Sequence, residues 1–252
     1  MPSVSLVHPL PRTPLAERLA PRLADVERRV AAACARAGRE RAAVRVLPVT
    51  KSVEPAVAAA LLELGHAELA ENRADELERK RAWFAERGLA VRWHFIGHLQ
   101  RNKARRVARA CAEIHSVDSA ELYDTLARVC DEEGLELCVW LQAKLWPEDN
   151  KGGFTPEELL ALWRAAPPSP RLRWRGLMAM APLLDDDAAA ARAARTVFSG
   201  LRELARRGDP ARFDGGRVRL SIGMSSDFEI AIEEGADVVR IGSALFEESG
   251  AA

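Results

Sequence analysis

The chain has no excess charge of either sign: 37 Lys and Arg stand against 37 Asp and Glu in 252 residues. That balance gives no reason to invoke nucleic acid or an acidic membrane as a partner. Cysteine is scarce, and Cys34, Cys111, Cys130 and Cys138 form no C-x-x-C pair and have no His at zinc-finger spacing. Scattered thiols exclude a disulfide framework and point to a reducing cytosol and a packing role. No apolar run approaches the ~20 residues of a membrane span, and the N-terminus lacks a signal-peptide core. A cytoplasmic protein is expected. Aromatics make up only 6% of the chain, with a single tyrosine, Tyr123. None interleaves with the basic run Arg101 to Arg109, so a solvated helix face is expected there rather than a base-stacking surface.

What is present is a regular alternation of strand-like and helical segments. A helical pattern over 14–37, with Leu15, Leu19, Leu23, Val26 and Val30 on one face, stops at Gly38. Strands are then predicted at 44–50, 68–71, 92–96, 113–117, 136–143, 173–179, 217–222 and 238–241. Helices are predicted at 54–64, 74–87, 101–110, 119–133, 156–165, 187–207 and 227–234. Pro48 implies an irregularity in the first strand, because it cannot donate to a ladder. Alternation implies parallel strands, and eight such units favour a single closed (β/α)₈ TIM barrel, with an extra N-terminal helix, over an open sheet. No G-x-G-x-x-G opens a helix after the first strand, which weakens a dinucleotide-binding reading. One domain over 14–248 is expected, preceded by a disordered tail, 1–13, that carries three prolines.

The most informative stretch is Arg219 to Phe246, RLSIGMSSDFEIAIEEGADVVRIGSALF. Small residues follow its two strands: Gly223, Met224, Ser225 and Ser226 after the first, Gly242 and Ser243 after the second. Exposed amides and hydroxyls at such corners cradle a phosphate, and the last two strands of this barrel commonly hold one. Arg240 precedes Gly242 by two, so both point to the same side of the strand. Lys51, after the apolar Val46-Leu-Pro-Val49, would project into the barrel mouth, where partial desolvation frees an amine as a nucleophile toward an aldehyde. Glu71, Asn72 and His94 add polar groups at the ends of the second and third strands. An amine, an arginine and a phosphate cup around one mouth are what pyridoxal 5′-phosphate (PLP) requires. His98 and His115 read as structural histidines, Met178 and Met180 as core, and Asp185 to Asp187 as a helix start. No carboxylate or second His sits at metal spacing, so no metal is expected.

The chain resembles the pyridoxal phosphate homeostasis protein family, YggS-like proteins related to the barrel domain of bacterial alanine racemase. The resemblance rests on Pro48-Val-Thr-Lys51, Glu71-Asn72, Trp93-His-Phe-Ile-Gly-His-Leu-Gln-Arg-Asn-Lys103, Ser116-Val-Asp-Ser119, Gly176-Leu-Met-Ala179 and Leu220 through Phe246. It implies a PLP Schiff base on Lys51, phosphate contacts from Ser225, Gly242 and Ser243, and Arg240 facing the pyridine nitrogen. It sets Asn72 and His94 near the ring or its substituents. Two positions depart from the family: Ala70 where glycine is usual, and Lys144, an extra amine at the mouth, where asparagine is typical. Lys151-Gly152-Gly153 fits the family's Lys-x-Gly loop, which implies a mobile lysine near the entrance.

Arginine only donates hydrogen bonds, so it would leave the pyridine nitrogen unprotonated and the ring a poor electron sink. Alanine racemases share that arginine but take a second base, a tyrosine, from a separate C-terminal β-domain. This chain is expected to lack that domain, and Tyr123 falls in the helix after strand four. The leading expectation is therefore a monomeric PLP carrier that buffers or delivers the cofactor, with PLP-dependent apoenzymes as recipients and no catalytic residue assigned. The competing expectation is a PLP-dependent amino-acid racemase using Lys51 with Lys144 or His94. A barrel enzyme acting on a phosphorylated sugar without PLP is the remote third.

Overall fold

Helix α1 (Pro14–Arg36) starts where the Thr13 hydroxyl accepts the Ala16 amide at 3.3 Å, with Pro14 in the first turn, where a missing N–H costs nothing. Leu19, Leu23, Val26 and Val30 form its buried stripe. The computed structural model describes residues 12–147, 152–165 and 169–247. Most of the expected N-terminal tail, and Lys151 of the expected entrance loop, lie outside them. Thr13, expected in that tail, is instead tied by its amide and hydroxyl to the Glu63 carboxylate at 2.8 and 2.9 Å.

Eight strands follow: β1 (Arg45–Pro48), β2 (Glu68–Glu71), β3 (Arg92–Phe95), β4 (Glu113–Val117), β5 (Leu137–Gln142), β6 (Leu172–Met178), β7 (Arg219–Ser221) and β8 (Val238–Ile241). Between and after them run α2 (Pro55–Glu63), α3 (Ala74–Glu86), α4 (Ala104–Ala110), α5 (Ala120–Glu133), α6 (Pro156–Ala165), α7 (Asp187–Arg206), α8 (Phe228–Glu233) and α9 (Ser243–Phe246). The expected helix 101–110 is two pieces, a 3₁₀ turn over 101–103 and then α4. All strand pairs are parallel, in the order β1-β8-β7-β6-β5-β4-β3-β2. The ring closes between β1 and β2 through a bridge from Val49 to Ala70, where the Thr50 amide donates to Ala70 O at 2.9 Å. This is the (β/α)₈ barrel. Pro48 cannot donate, and the ladder to β8 resumes one residue later, from Val49 N to Ile241 O at 2.8 Å.

Apolar residues form an outer shell between sheet and helices and a small inner cluster of Leu47, Val49, Ala70, Trp140, Met178 and Val238. Beneath that inner cluster the barrel floor is charged. Arg45 pairs with Glu68 at 2.9 Å, and Arg45, Arg92 and Arg175 converge on the fully buried Glu113 at 3.4, 3.1 and 3.4 Å. In the basic run on α4, Arg105 and Arg109 pair with Glu133, and Arg106 pairs with Asp75 and Glu78. Asp186 caps α7, accepting the Ala189 amide at 2.6 Å, as the acidic run implied.

Candidate functional site

The corners after β7 and β8 meet. Ser225 Oγ accepts the amides of both Gly242 and Ala244 at 3.2 Å, so one hydroxyl joins the two loops. The loop after β7 is a tight turn built on Gly223, whose φ is +90° and whose added Cβ would lie 2.5 Å from Ala231 Cβ. Asp227 closes that turn by accepting the Met224 amide at 2.6 Å, and burial raises its carboxyl above the usual range. Among the described residues, the amides of Ser225, Ser226 and Ser243 donate to no protein acceptor. Two adjoining corners therefore present unclaimed N–H groups and serine hydroxyls, a donor set suited to an anion.

Arg240 stands below this corner on β8, 4% exposed. One terminal nitrogen donates to Ser221 O at 2.6 Å and Ser221 Oγ at 2.9 Å, and the other to Ala179 O at 3.2 Å. All three acceptors are neutral. Burial lowers the guanidinium to about 10, partly offset by Asp227, so it stays charged at neutral pH. The Nε–H has no protein partner, yet it is not among the fully enclosed orphan atoms.

Lys51 lies in the turn after β1, two residues beyond Val49, whose side chain joins the inner cluster. A Cβ added at Gly242 would come within 3.4 Å of Val49 O, so the β8 corner abuts the strand that leads to Lys51. The side chain is exposed, not partly desolvated as the sequence suggested, because it follows a turn beyond the last bridge. Beneath it lies a buried ion pair that sequence reasoning missed. Lys80, from α3, reaches Glu71 Oε1 at 2.6 Å and also donates to Thr50 O, while the Thr50 hydroxyl donates to the same carboxylate oxygen. The peptide that leads into Lys51 is thus clamped from behind. The available signal was one basic residue on the apolar face of a predicted helix.

Asn72 directly follows β2, at the strand end as expected, and is half-buried; Gly97 packs flat against its backbone, where an added Cβ would sit 1.9 Å from Asn72 O. His94 is not at the mouth. It sits inside the barrel in register with Ala70, fully buried, with Nδ1 3.1 Å from His115 Nε2. Its place near the end of the third strand gave no measure of its depth. His98, by contrast, is exposed and pairs with Asp118 at 3.0 Å. Lys144, after β5, is half-buried, with its amide donating to Phe154 O at 2.8 Å. Met178 is buried and Met180 packs against the inner cluster, the filler role expected of them.

The expectation that no His or carboxylate stands at metal spacing needs correction. His94, Glu113 and His115 are all buried, with potential ligand atoms within 4.8 Å of one another. Two strands bring them together, which linear spacing between β3 and β4 conceals. The carboxylate already faces three arginines and accepts the Trp140 indole at 2.9 Å, so a cation there would enter a field of positive charge. Burial lowers His94 to about 3 and His115 well below the ordinary range, so both are neutral.

Residues 22–249 match the family described as the alanine racemase N-terminal domain. A pyridoxal phosphate homeostasis protein from Aquifex aeolicus is 36% identical over 228 residues, 90% of this chain and 96% of that one. One from Pseudomonas aeruginosa is 37% identical over 90% of this chain and 94% of its own. The PLP-bound structure of PipY from Synechococcus elongatus matches with a TM-score of 0.74 and 30% identity, covering 92% of this chain and 99% of that one. An alanine racemase from Clostridium difficile shares the fold at a TM-score of 0.61 and 15% identity, and the match spans 57% of its length.

Proposed function

The chain belongs to the pyridoxal phosphate homeostasis protein family, and from that premise we propose that it binds PLP and buffers or delivers it, sustaining vitamin B6 and amino-acid pools. The observation that carries the reading is the union of the β7 and β8 corners through Ser225, with unclaimed amides at Ser225, Ser226 and Ser243, beside Val49 at the end of the segment that leads into Lys51. These residues fit a phosphate dianion, and Arg240 offers an unclaimed Nε–H below them.

In this reading Ser225, Gly242 and Ser243 hold the phosphate. Lys51 would hold the cofactor through its amine at the aldehyde carbon. Arg240 faces the pyridine nitrogen, and Asn72 borders the ring. Bound PLP supplies an electrophilic carbon and an aromatic electron sink. Arg240 limits that sink, since a guanidinium can only donate and leaves the ring nitrogen without a proton. This supports a carrier rather than a catalyst. Tyr123 adds further support: it is buried on α5, edge-on to Trp174 with ring centroids 5.9 Å apart, and serves packing. His94, considered beside Lys144 as a second base for a racemase, is committed to His115 inside the barrel.

Recipient apoenzymes, a monomeric state and a cytoplasmic location are parts of the same proposal. The four free cysteines favour a reducing compartment, and no helix among the described residues is long and apolar enough to cross a membrane. The deciding experiment is PLP titration, borohydride reduction and peptide mass mapping. The expected product is one adduct on Lys51, absent in Lys51→Ala. An adduct elsewhere, or none at saturation, overturns the assignment. Single-enantiomer amino acids added to the loaded protein should exchange their α-proton no faster than with free PLP, and faster exchange would overturn the carrier reading.

A further inference from the structure

From Arg240 a line of buried side chains descends through the barrel. Ser221 Oγ, which accepts from Arg240, lies 2.8 Å from His115 Nδ1. His115 Nε2 lies 3.1 Å from His94 Nδ1, and His94 Nε2 faces Glu68 Oε1 at 3.9 Å. The His115 ring is fixed from one side by Trp140, stacked at 5.0 Å between centroids with 19° between planes. Trp140 in turn donates its indole N–H to Glu113 at 2.9 Å. Ser221, His115, His94, Glu113 and Trp140 are all essentially without solvent access.

Hydrogen-bond chemistry sets the direction of this line. A serine hydroxyl has one proton, and Ser221 must place it on His115 Nδ1 to avoid burying an unpaired donor. His115 then carries its own proton on Nε2 and donates to His94 Nδ1. That leaves the His94 proton on Nε2, without a hydrogen-bond acceptor but facing the Glu68 carboxylate at 3.9 Å. The reverse assignment strands the serine proton instead, beside the Arg240 cation, and turns the bare His94 Nε2 lone pair toward Glu68, so the first assignment is the one that sets the unpaired proton against negative charge. With the first polarity every dipole points its positive end away from the Arg240 cation and toward the acidic floor.

We propose that His115 is a positioning residue for the cofactor: acting through Ser221, it holds the Arg240 guanidinium so that its Nε–H remains free for the ring nitrogen. The inference rests on the PLP reading above. Arg240 has no carboxylate in hydrogen-bond contact, only Ser221 and the Ala179 carbonyl, so its orientation depends on Ser221 more than a salt-bridged arginine's would. His115 supplies the acceptor that keeps the Ser221 lone pairs turned toward Arg240. The histidines therefore contribute as neutral rings with fixed tautomers, not as acids or bases.

Two measurements test this. Long-range ¹⁵N–¹H NMR of the apoprotein should show His94 and His115 as Nε2–H tautomers, a readout independent of the cofactor. PLP titration of wild type, Ser221→Ala, His115→Phe and His115→Asn follows, reading affinity and the visible band of the bound ring. Ser221→Ala and His115→Phe should each bind about five- to tenfold more weakly with a displaced band. His115→Asn, which keeps an acceptor at the Nδ1 position, should restore the wild-type band. An Nδ1–H tautomer at His115, or wild-type affinity and band in both disrupted variants, overturns the positioning role while leaving PLP binding intact. Wild type that takes up no PLP would overturn the functional reading itself, and this inference with it.

Discussion

The ammonium of Lys80 lies 2.6 Å from a carboxylate oxygen of Glu71, with both side chains fully enclosed between α3 and the end of β2. The same ammonium donates to Thr50 O, so the pair fastens the last residue before Lys51. Removing one partner leaves the other charge buried and alone, and Glu71 Oε2 already lacks a partner. Lys80→Met should therefore cost about 3 kcal/mol or more in urea unfolding. Lys80→Met combined with Glu71→Leu should regain most of that loss. Equal stability of the single variant and wild type would dismiss the clamp.

Gly97 has a role set by contact rather than by backbone freedom. An alanine there would drive its Cβ to 1.9 Å from Asn72 O, so the segment after β3 must shift away from β2. Gly97→Ala should lose about 2–3 kcal/mol of stability and weaken PLP affinity through Asn72. Calorimetry and PLP titration check both effects.

The buried histidines give stability a defined pH dependence. His94 and His115 have folded-state values lowered from 6.5 by burial, His94 to about 3. The unfolded chain therefore binds the additional protons, and stability is full above pH 6.5 and falls below it. Between pH 6.5 and pH 5 each should remove about 1.5 kcal/mol, about 3 for the pair. His66, also lowered by burial, acts in the same direction to a smaller extent. Urea midpoints across this range should fall for wild type and fall less for His115→Asn. A flat profile would contradict neutral burial of the two rings.

Ser225 joins the two corners by accepting two amides, and it also offers a hydroxyl to a phosphate. Ser225→Ala should weaken PLP binding about tenfold. The borohydride-reduced adduct should still map to Lys51, because the amine stands on a different strand. Inorganic phosphate should compete with PLP less effectively in the variant. Unchanged affinity and competition would remove Ser225 from the phosphate site.

Much of this molecule was legible in its sequence because punctuation and periodicity agree. The bounds of β2, β4, β8 and α6 coincide with those expected, and turn or capping residues such as Gly134 after α5 stop the elements cleanly. The corner serines and glycines, Lys51, Asn72 and Arg240 were candidates for a related reason: strand ends in a barrel are where functional side chains stand, and the structure joins the β7 and β8 corners through Ser225. Depth was not visible. Period two tells which face of β3 carries His94 but not which layer it fills, and its partners His115 and Ser221 stand on β4 and β7. Lys80 was hidden differently, since a lysine in a charged helix reads as a solvated one until Glu71 is found opposite it.

Around the barrel, neighbouring strands are joined by ladders except at β1 and β2, where among the described residues the bridge from Val49 to Ala70 makes the seam. Just before Lys51 that short join is reinforced by Thr50 and Lys80, which both bond Glu71 at the end of β2. In the proposed carrier, the footing of Lys51 therefore depends on one short bridge and one buried side-chain clamp. Parting there would loosen the lysine's footing while the β4-β5-β6 wall stayed intact.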